Sequence, residues 1–222
     1  VLLERSKLTS GTTWHAAGLV GQLRVTRNLT ELAKYTADLY HSLEAETGQA
    51  TCFKQNGSIS VAKTPSRFEE LKRGASMGKT FGLEIDVLST GEIKERWPLI
   101  AVDDLVGGVF LHKDGQCNPI DTTQALAKGA KLRGARIFEN TTVPKIRIER
   151  GRAIGVETRD GFIAADTVVL CAGMWSHRIA RDCGVAVPLH AAEHFYIVTE
   201  PMKGLPGNLP VLRVQDECAY YK

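Results

Sequence analysis

Residues 166–173 read DTVVLCAG, a nearly continuous apolar run that ends in Ala-Gly. A strand apolar on both faces has to be covered on both faces, as in the centre of a parallel sheet. Parallel strands in turn require long crossovers, usually helices. The first residues, VLLE (1–4), read as a second short buried strand, ending in a carboxylate. Helical spacing supplies the cover. From Asn28 to Gly48 apolar residues recur at Leu29, Leu32, Ala33, Leu39, Tyr40 and Leu43, on one face of a helix. Asn28 with Glu31 resembles a capping box, and Gly48 is a stop.

The rest of the chain alternates between the two periods. FKQNGSISVAK (53–63) is a strand or hairpin, and Thr64-Pro65 caps a helix to about Phe81. EIDVLS (84–89) is extended, and TGEIKERWP is a short helix that Pro98 ends. VGGVFLHKDGQCNP (106–119) is a strand with a Gly-Asp turn, followed by a helix over about 120–133 with Gly134 beyond it. ARIFENTTV, PKIRIERG, RAIGVETRDG and GFIAADTVVLCAG read as short strands, and 175–182 as a short helix. HAAEHFYIVTE and LPVLRVQDECAYYK alternate as antiparallel strands. The expected fold class is therefore mixed α/β, with two strand systems that exchange chain segments. One is parallel and helix-covered, built from 1–52 and 119–186. The other is antiparallel, built from 53–118 and 187–222. Both ends fall inside strand-like runs, so we read the chain as a fragment truncated at both ends.

Composition narrows the function classes. A net charge of +3 from 28 basic and 25 acidic residues, with no long basic block, argues against a nucleic-acid binder. No apolar run approaches the roughly 18 residues of a membrane span. The five cysteines (52, 117, 171, 183 and 218) are odd in number and form no C-x-x-C pair. They read as free thiols rather than a disulfide framework or zinc site. His112, His177 and His190 lack metal-ligand spacing, so no metal is expected.

Three segments carry candidate chemistry. Glu4, beside Arg5 at the end of the first strand, matches the acidic residue that binds ribose hydroxyls in a dinucleotide-binding fold. The Gly-rich turn of that fold lies about 20 residues upstream of such a residue, and no G-x-G-x-x-G occurs in this chain. LCAGMWS (170–176) puts Ala172 and Gly173 in a small-residue turn that lets a cofactor approach the backbone. SGTTWHAAGL (10–19) surrounds Trp14 and His15 with the smallest side chains, an opening for a large flat ligand. Taken singly, each has a plainer reading: a surface Glu, an ordinary strand-to-helix turn, a structural His.

Taken in order, VLLERSKLTSGTTWHAAGL, DGQCNP, ENTTV, LCAGMWS, EHFYIVTE and RVQDECAYYK resemble the flavin domain of the sarcosine and dimethylglycine dehydrogenase family, which has a D-amino-acid-oxidase-like FAD domain. The resemblance implies a Rossmann-like FAD-binding domain at 1–52 and 119–186 and a substrate domain at 53–118 and 187–222. It implies FAD bonded covalently to His15, lined by Gly11, Thr12, Thr13, Trp14, Ala16, Ala17, Gly18 and Leu19. It also implies Val143 on the adenine side, Trp175 near the cofactor, and His194 and Tyr220 over the substrate face. The implied reaction is oxidative demethylation of an N-methylglycine-type amine: the neutral amine loses a hydride from its N-methyl carbon to flavin N5, leaving an iminium. LTSGTTWHAAGLVGQLR and VTEPMKGLP lean toward sarcosine over dimethylglycine as substrate. The family further implies a tetrahydrofolate-binding region beyond the C-terminus, electron-transfer flavoprotein as acceptor, and a mitochondrial matrix or bacterial cytoplasmic setting. The cation for the substrate carboxylate is not legible in these residues. Two alternatives belong to other classes: a non-catalytic regulatory relative of the pyruvate dehydrogenase phosphatase regulatory type, and an oxygen-using amino-acid oxidase with noncovalent FAD.

Overall fold

A computed structural model describes residues 1–222. The chain divides into two compact units, each built from two separate segments: 1–15 with 130–203, and 16–129 with 204–222.

The first unit contains a parallel pair, β1 (Leu2–Leu3) with β7 (Ile137–Phe138). It also holds an antiparallel meander of β8 (Lys145–Glu149), β9 (Arg152–Thr158) and β10 (Gly161–Ala164). The short helix α5 (Ser176–Asp182) follows a 3-10 turn at Gly173–Trp175. The loop after β1 is tied to the residues after β7: Asn140 N–H donates to the Ser6 carbonyl, and Thr141 N–H to the Glu4 carbonyl. Glu139 locks it further, accepting from the Leu8 N–H at 2.8 Å and pairing with Lys7 at 3.1 Å.

The second unit is built on a five-stranded sheet: β3 (Ser58–Ala62), β4 (Ile85–Leu88), β5 (Gly107–Leu111), β11 (Val211–Val214) and β12 (Ala219–Tyr221), in the order β12-β11-β3-β5-β4. One face is covered by α3 (Thr90–Arg96). There Ile59, Val61, Leu88, Ile93, Phe110, Leu212 and Val214 form one core cluster. The other face takes α2 (Pro65–Thr80), with Leu71 and Ala75 packed on Ala62, Ile85, Val109 and Leu111. A second pair, β2 (Leu19–Val20) with β6 (Gly115–Gln116), is antiparallel. Beside it Val20, Ala37 of α1 (Arg27–Thr47) and Cys117 share a small core. Helix α4 runs over Pro119–Leu132.

Local chemistry sets most boundaries. Helix α2 begins as expected, with the Thr64 hydroxyl accepting from the Arg67 N–H and Pro65 in the first turn. Gly48 ends α1 in the left-handed conformation at φ 63°. Its N-cap, however, is Thr26 rather than Asn28: the Thr26 side chain accepts from the Leu29 N–H, starting the helix two residues earlier.

Three expectations are corrected. The run 166–173 is not a strand. Val169 is 75% exposed and no strand pairs with the segment; apolar composition supplies no ladder partner. HAAEHFYIVTE is likewise irregular, with Phe195, Ile197 and Val198 all exposed, so its alternation meets no sheet face. The five-stranded sheet is mixed rather than antiparallel, because β11 joins β3 in parallel.

Candidate functional site

In the first unit the expected cofactor residues gather around the β1 end. Glu4 continues the parallel pair through its N–H to the Phe138 carbonyl, while its carboxylate accepts from the Ser6 N–H at 2.8 Å. The Arg5 guanidinium lies over the Trp175 ring, 4.3 Å from its centroid, a cation–π contact. Gly11 belongs to the same cluster: a Cβ there would sit 3.8 Å from the Trp175 ring. Gly173, just before Trp175, adopts φ 55° with nothing within 4 Å of its Cβ position. The result is an open platform of glycine backbone, a half-exposed indole and one cation, which suits a flat, anionic cofactor. Ala172 opens that 3-10 turn. Val143 follows the Glu4-bonded loop and is half-buried.

Thr13–His15 form a 3-10 turn. The rings of Trp14 and His15 stack with centroids 3.6 Å apart, and both side chains are exposed. His15 Nδ1 lies 3.1 Å from the Tyr196 hydroxyl. That contact leaves the other ring nitrogen, Nε2, open. His194 is two residues from Tyr196 in the same irregular segment and is exposed. Tyr196 was not legible in the sequence, where it is one aromatic among several in an alternating run.

In the second unit the HAAGL segment continues into β2. Gly18 adopts φ 74°, and its carbonyl accepts from the Cys117 N–H at 2.8 Å. The Lys222 ammonium reaches the Cys117 carbonyl at 3.3 Å, and burial pulls its pKa down. Tyr220 lies on β12 directly opposite Arg213 of β11. Asp114, expected as a plain turn residue, is buried at 2% exposure. It accepts from the Gln22 N–H and from the Ser58 hydroxyl. Burial raises its pKa above the ordinary carboxylate value, and the two hydrogen bonds, Arg213 and Arg24 pull the other way. Asp-Gly is so common a turn pair that its burial could not be read from sequence. The lone Arg within VLRV was the available signal for Arg213.

Comparison with known proteins assigns the family. Residues 1–221 match the family described as FAD dependent oxidoreductase. The chain belongs to that family. It is similar to human mitochondrial sarcosine dehydrogenase, 43% identical over all of this chain and 25% of that protein. It is also similar to rat mitochondrial dimethylglycine dehydrogenase, 36% identical over all of this chain and 26% of that protein. The chain thus spans about a quarter of the length of these curated relatives. In fold it resembles the L-proline dehydrogenase of P. horikoshii, with a TM-score of 0.85 over 98% of this chain and 58% of that one, at 24% identity. The mixed α/β architecture of this FAD-binding family is therefore present. No cluster of His, Cys, Asp or Glu could hold a metal, and no helix is long and apolar enough to cross a membrane.

Proposed function

We propose that this chain is the flavin-binding part of an enzyme that oxidatively demethylates an N-methylglycine-type amine, sarcosine ahead of dimethylglycine. The observation that carries the reading is His15: an exposed imidazole among glycines, alanines and threonines, with Nδ1 beside the Tyr196 hydroxyl and Nε2 open. A neutral imidazole held in that way offers one nitrogen as a nucleophile. His15 is the residue through which FAD is held covalently, and the small neighbours Gly11 to Leu19 let the ring system lie against the loop. FAD, when bound, supplies the two-electron acceptor for a hydride from the N-methyl carbon.

The chain's own residues then have distinct tasks. Glu4 takes ribose hydroxyls, and Arg5 on Trp175 offers a positive charge and a stacking surface to the adenosine half. Val143, Ala172 and Gly173 keep backbone close to the same half. His194 favours the neutral amine by holding or accepting its proton, and Tyr220 hydrogen-bonds the substrate and orients its methyl group. Positioning of that kind is a large term in catalysis. In this reading 1–52 and 119–186 serve FAD, and 53–118 and 187–222 serve substrate. Electron-transfer flavoprotein takes the electrons, and tetrahydrofolate takes the one-carbon product in the region that follows.

The test uses the full-length protein. It is precipitated with acid, washed, and examined for flavin fluorescence on the polypeptide in a denaturing gel, beside His15→Ala. Fluorescence that survives in wild type and vanishes in the variant supports the link. Its absence from wild type overturns it and favours noncovalent FAD or a regulatory protein. Those two separate on whether sarcosine reduces the flavin of the native enzyme.

A further inference from the structure

The His15 imidazole is held by aromatic rings from both segments of the first unit. The Trp14 ring lies beside it, with centroids 3.6 Å apart. The Tyr196 ring meets it edge-on, at 61° and 6.2 Å between centroids, and brings its hydroxyl to 3.1 Å from Nδ1. The two residues are 181 apart in sequence, and both belong to the same compact unit.

The segment that delivers Tyr196 makes this contact informative. Residues 190–200 form no helix or strand. Phe195 and Ile197, on either side, are 91% and 90% exposed, whereas Tyr196 is 52% exposed. Tyr196 is the side chain of that run that turns back onto the unit. A phenol can donate or accept, and the hydrogen bond made by one ring nitrogen of a histidine decides which nitrogen carries the proton. With Nδ1–H donating to the Tyr196 oxygen, Nε2 keeps a bare lone pair. With Nδ1 accepting, Nε2 carries the proton and is no nucleophile.

We propose that Tyr196 is the positioning residue that sets the His15 tautomer, accepting from Nδ1–H so that Nε2 presents its lone pair to the flavin. The proposal rests on the reading of His15 as the point of FAD attachment. In that attachment one hydrogen leaves a methyl carbon of the flavin's dimethylbenzene ring as a proton. Nε2 forms the new N–C bond with its lone pair, and the electron pair of the broken C–H bond stays on the ring system. The Nδ1 proton leaves by way of the Tyr196 hydroxyl, which passes its own proton to solvent. Dioxygen takes the two electrons and two protons as hydrogen peroxide, and the flavin is left oxidised.

Trp14 and Tyr196 divide the work. The indole beside the imidazole restricts the plane of the ring, and the phenol oxygen fixes which edge carries the proton. The nucleophilic nitrogen then has one direction rather than several, and alignment of that kind is a large rate term. Removing the Tyr196 oxygen leaves both aromatic rings in place and frees the tautomer. Binding of FAD and its attachment are therefore separable at this residue.

The experiment uses the full-length protein, produced without riboflavin and then given FAD in aerated buffer, as wild type and Tyr196→Phe. Bound flavin is read by absorbance after gel filtration, and attached flavin by fluorescence that survives acid precipitation. Tyr196→Phe is expected to bind FAD within about twofold of wild type and to attach it roughly 10-fold more slowly. Attachment at the wild-type rate overturns the proposal, and so does joint loss of binding and attachment. The tautomer is read from the nitrogen-15 resonances of histidine-labelled protein before FAD is added, with His15→Ala to assign the signal. Nδ1–H in wild type and a mixture of tautomers in Tyr196→Phe are expected. Nε2–H in wild type overturns the proposal without any variant at position 196. Should wild type never attach FAD, the reading of His15 falls separately. A Tyr196-dependent Nδ1–H signal then still upholds the tautomer assignment, and a signal unchanged in Tyr196→Phe overturns it.

Discussion

Asp114 Oδ2 accepts a 2.6 Å hydrogen bond from Ser58 Oγ, joining the turn before β6 to the first residue of β3. The Asp114 backbone carbonyl accepts from the Gly57 N–H beside it. One buried residue thus organises the Gln22 loop, the β6 turn and the entry to the central strand.

The first prediction concerns that carboxylate. Burial raises its folded pKa above the ordinary 3.8, against the opposing pull of Ser58, Gln22 and the two arginines. A raised folded value means the protonated form is the one folding favours. Its contribution is full below the unfolded value and is lost as pH rises through the folded one. Asp114→Asn should remove that slope. The stability difference, wild type minus variant, is expected to shrink as pH rises from about 3.5 to 7, read by thermal melting at several pH values. A difference that grows over that range would show that the ionised form is the one stabilised.

The opposite sign is expected at Glu92. Ser89 caps α3 and Glu92 reaches back to it, a reciprocal capping box. The Ser89 hydroxyl, then its N–H, hold Glu92 below the usual carboxylate value of 4.5. A lowered folded pKa contributes stability present above the unfolded value and lost as pH falls through the folded one. Glu92→Gln should therefore lower Tm at pH 7 and converge on wild type near pH 3. A Tm gap unchanged between those pH values would mean the box acts without its charge.

How far the sequence carried these results depends on the kind of information each needed. Thr64-Pro65 and Gly48 specify their helix ends within a few residues, and those ends were legible; the start of α3 was read without its Ser89 cap, a residue placed in the preceding extended run. The segment DTVVLCAG was misread because a strand needs a partner edge, and partner edges are not a local property. The same holds for β11, whose parallel placement beside β3 joins residues about 150 apart. Among the candidate residues, His15 stood out because its neighbours are small. Asp114, Arg213 and Tyr196 did not, because each is placed by contacts with residues distant in sequence, within its own unit.

Central packing gives a third prediction. Ile59 is fully buried on β3, between β11 and β5, against Leu88, Ile93 and Phe110. Ile59→Ala should cost about 2–5 kcal/mol, the loss of burial plus an unfilled cavity. Val87, 44% exposed on edge strand β4, is the control: Val87→Ala should stay within about 0.5 kcal/mol. Equal losses at the two positions would place the stabilising core elsewhere.

The last prediction separates two glycines of the same motif. Gly18 has φ 74°, and a Cβ there would lie 2.2 Å from the Cys117 carbonyl oxygen. That oxygen is backbone, and Cys117 N–H is already bonded to the Gly18 carbonyl, so neither partner can yield without opening the β2–β6 pair. Gly18→Ala should cost at least the 1–3 kcal/mol of a left-handed non-glycine residue. It should also reduce flavin content, because the loop that follows His15 would shift. Gly11 has no such constraint: its Cβ position meets only the Trp175 ring, at 3.8 Å. Gly11→Ala should leave stability within about 0.5 kcal/mol of wild type, so any loss of flavin there reports crowding at the platform rather than misfolding. Melting curves and flavin-to-protein absorbance ratios on the two variants test both halves. A Gly18→Ala protein with wild-type Tm would show that the Gly18–Cys117 contact is not fixed in the folded state.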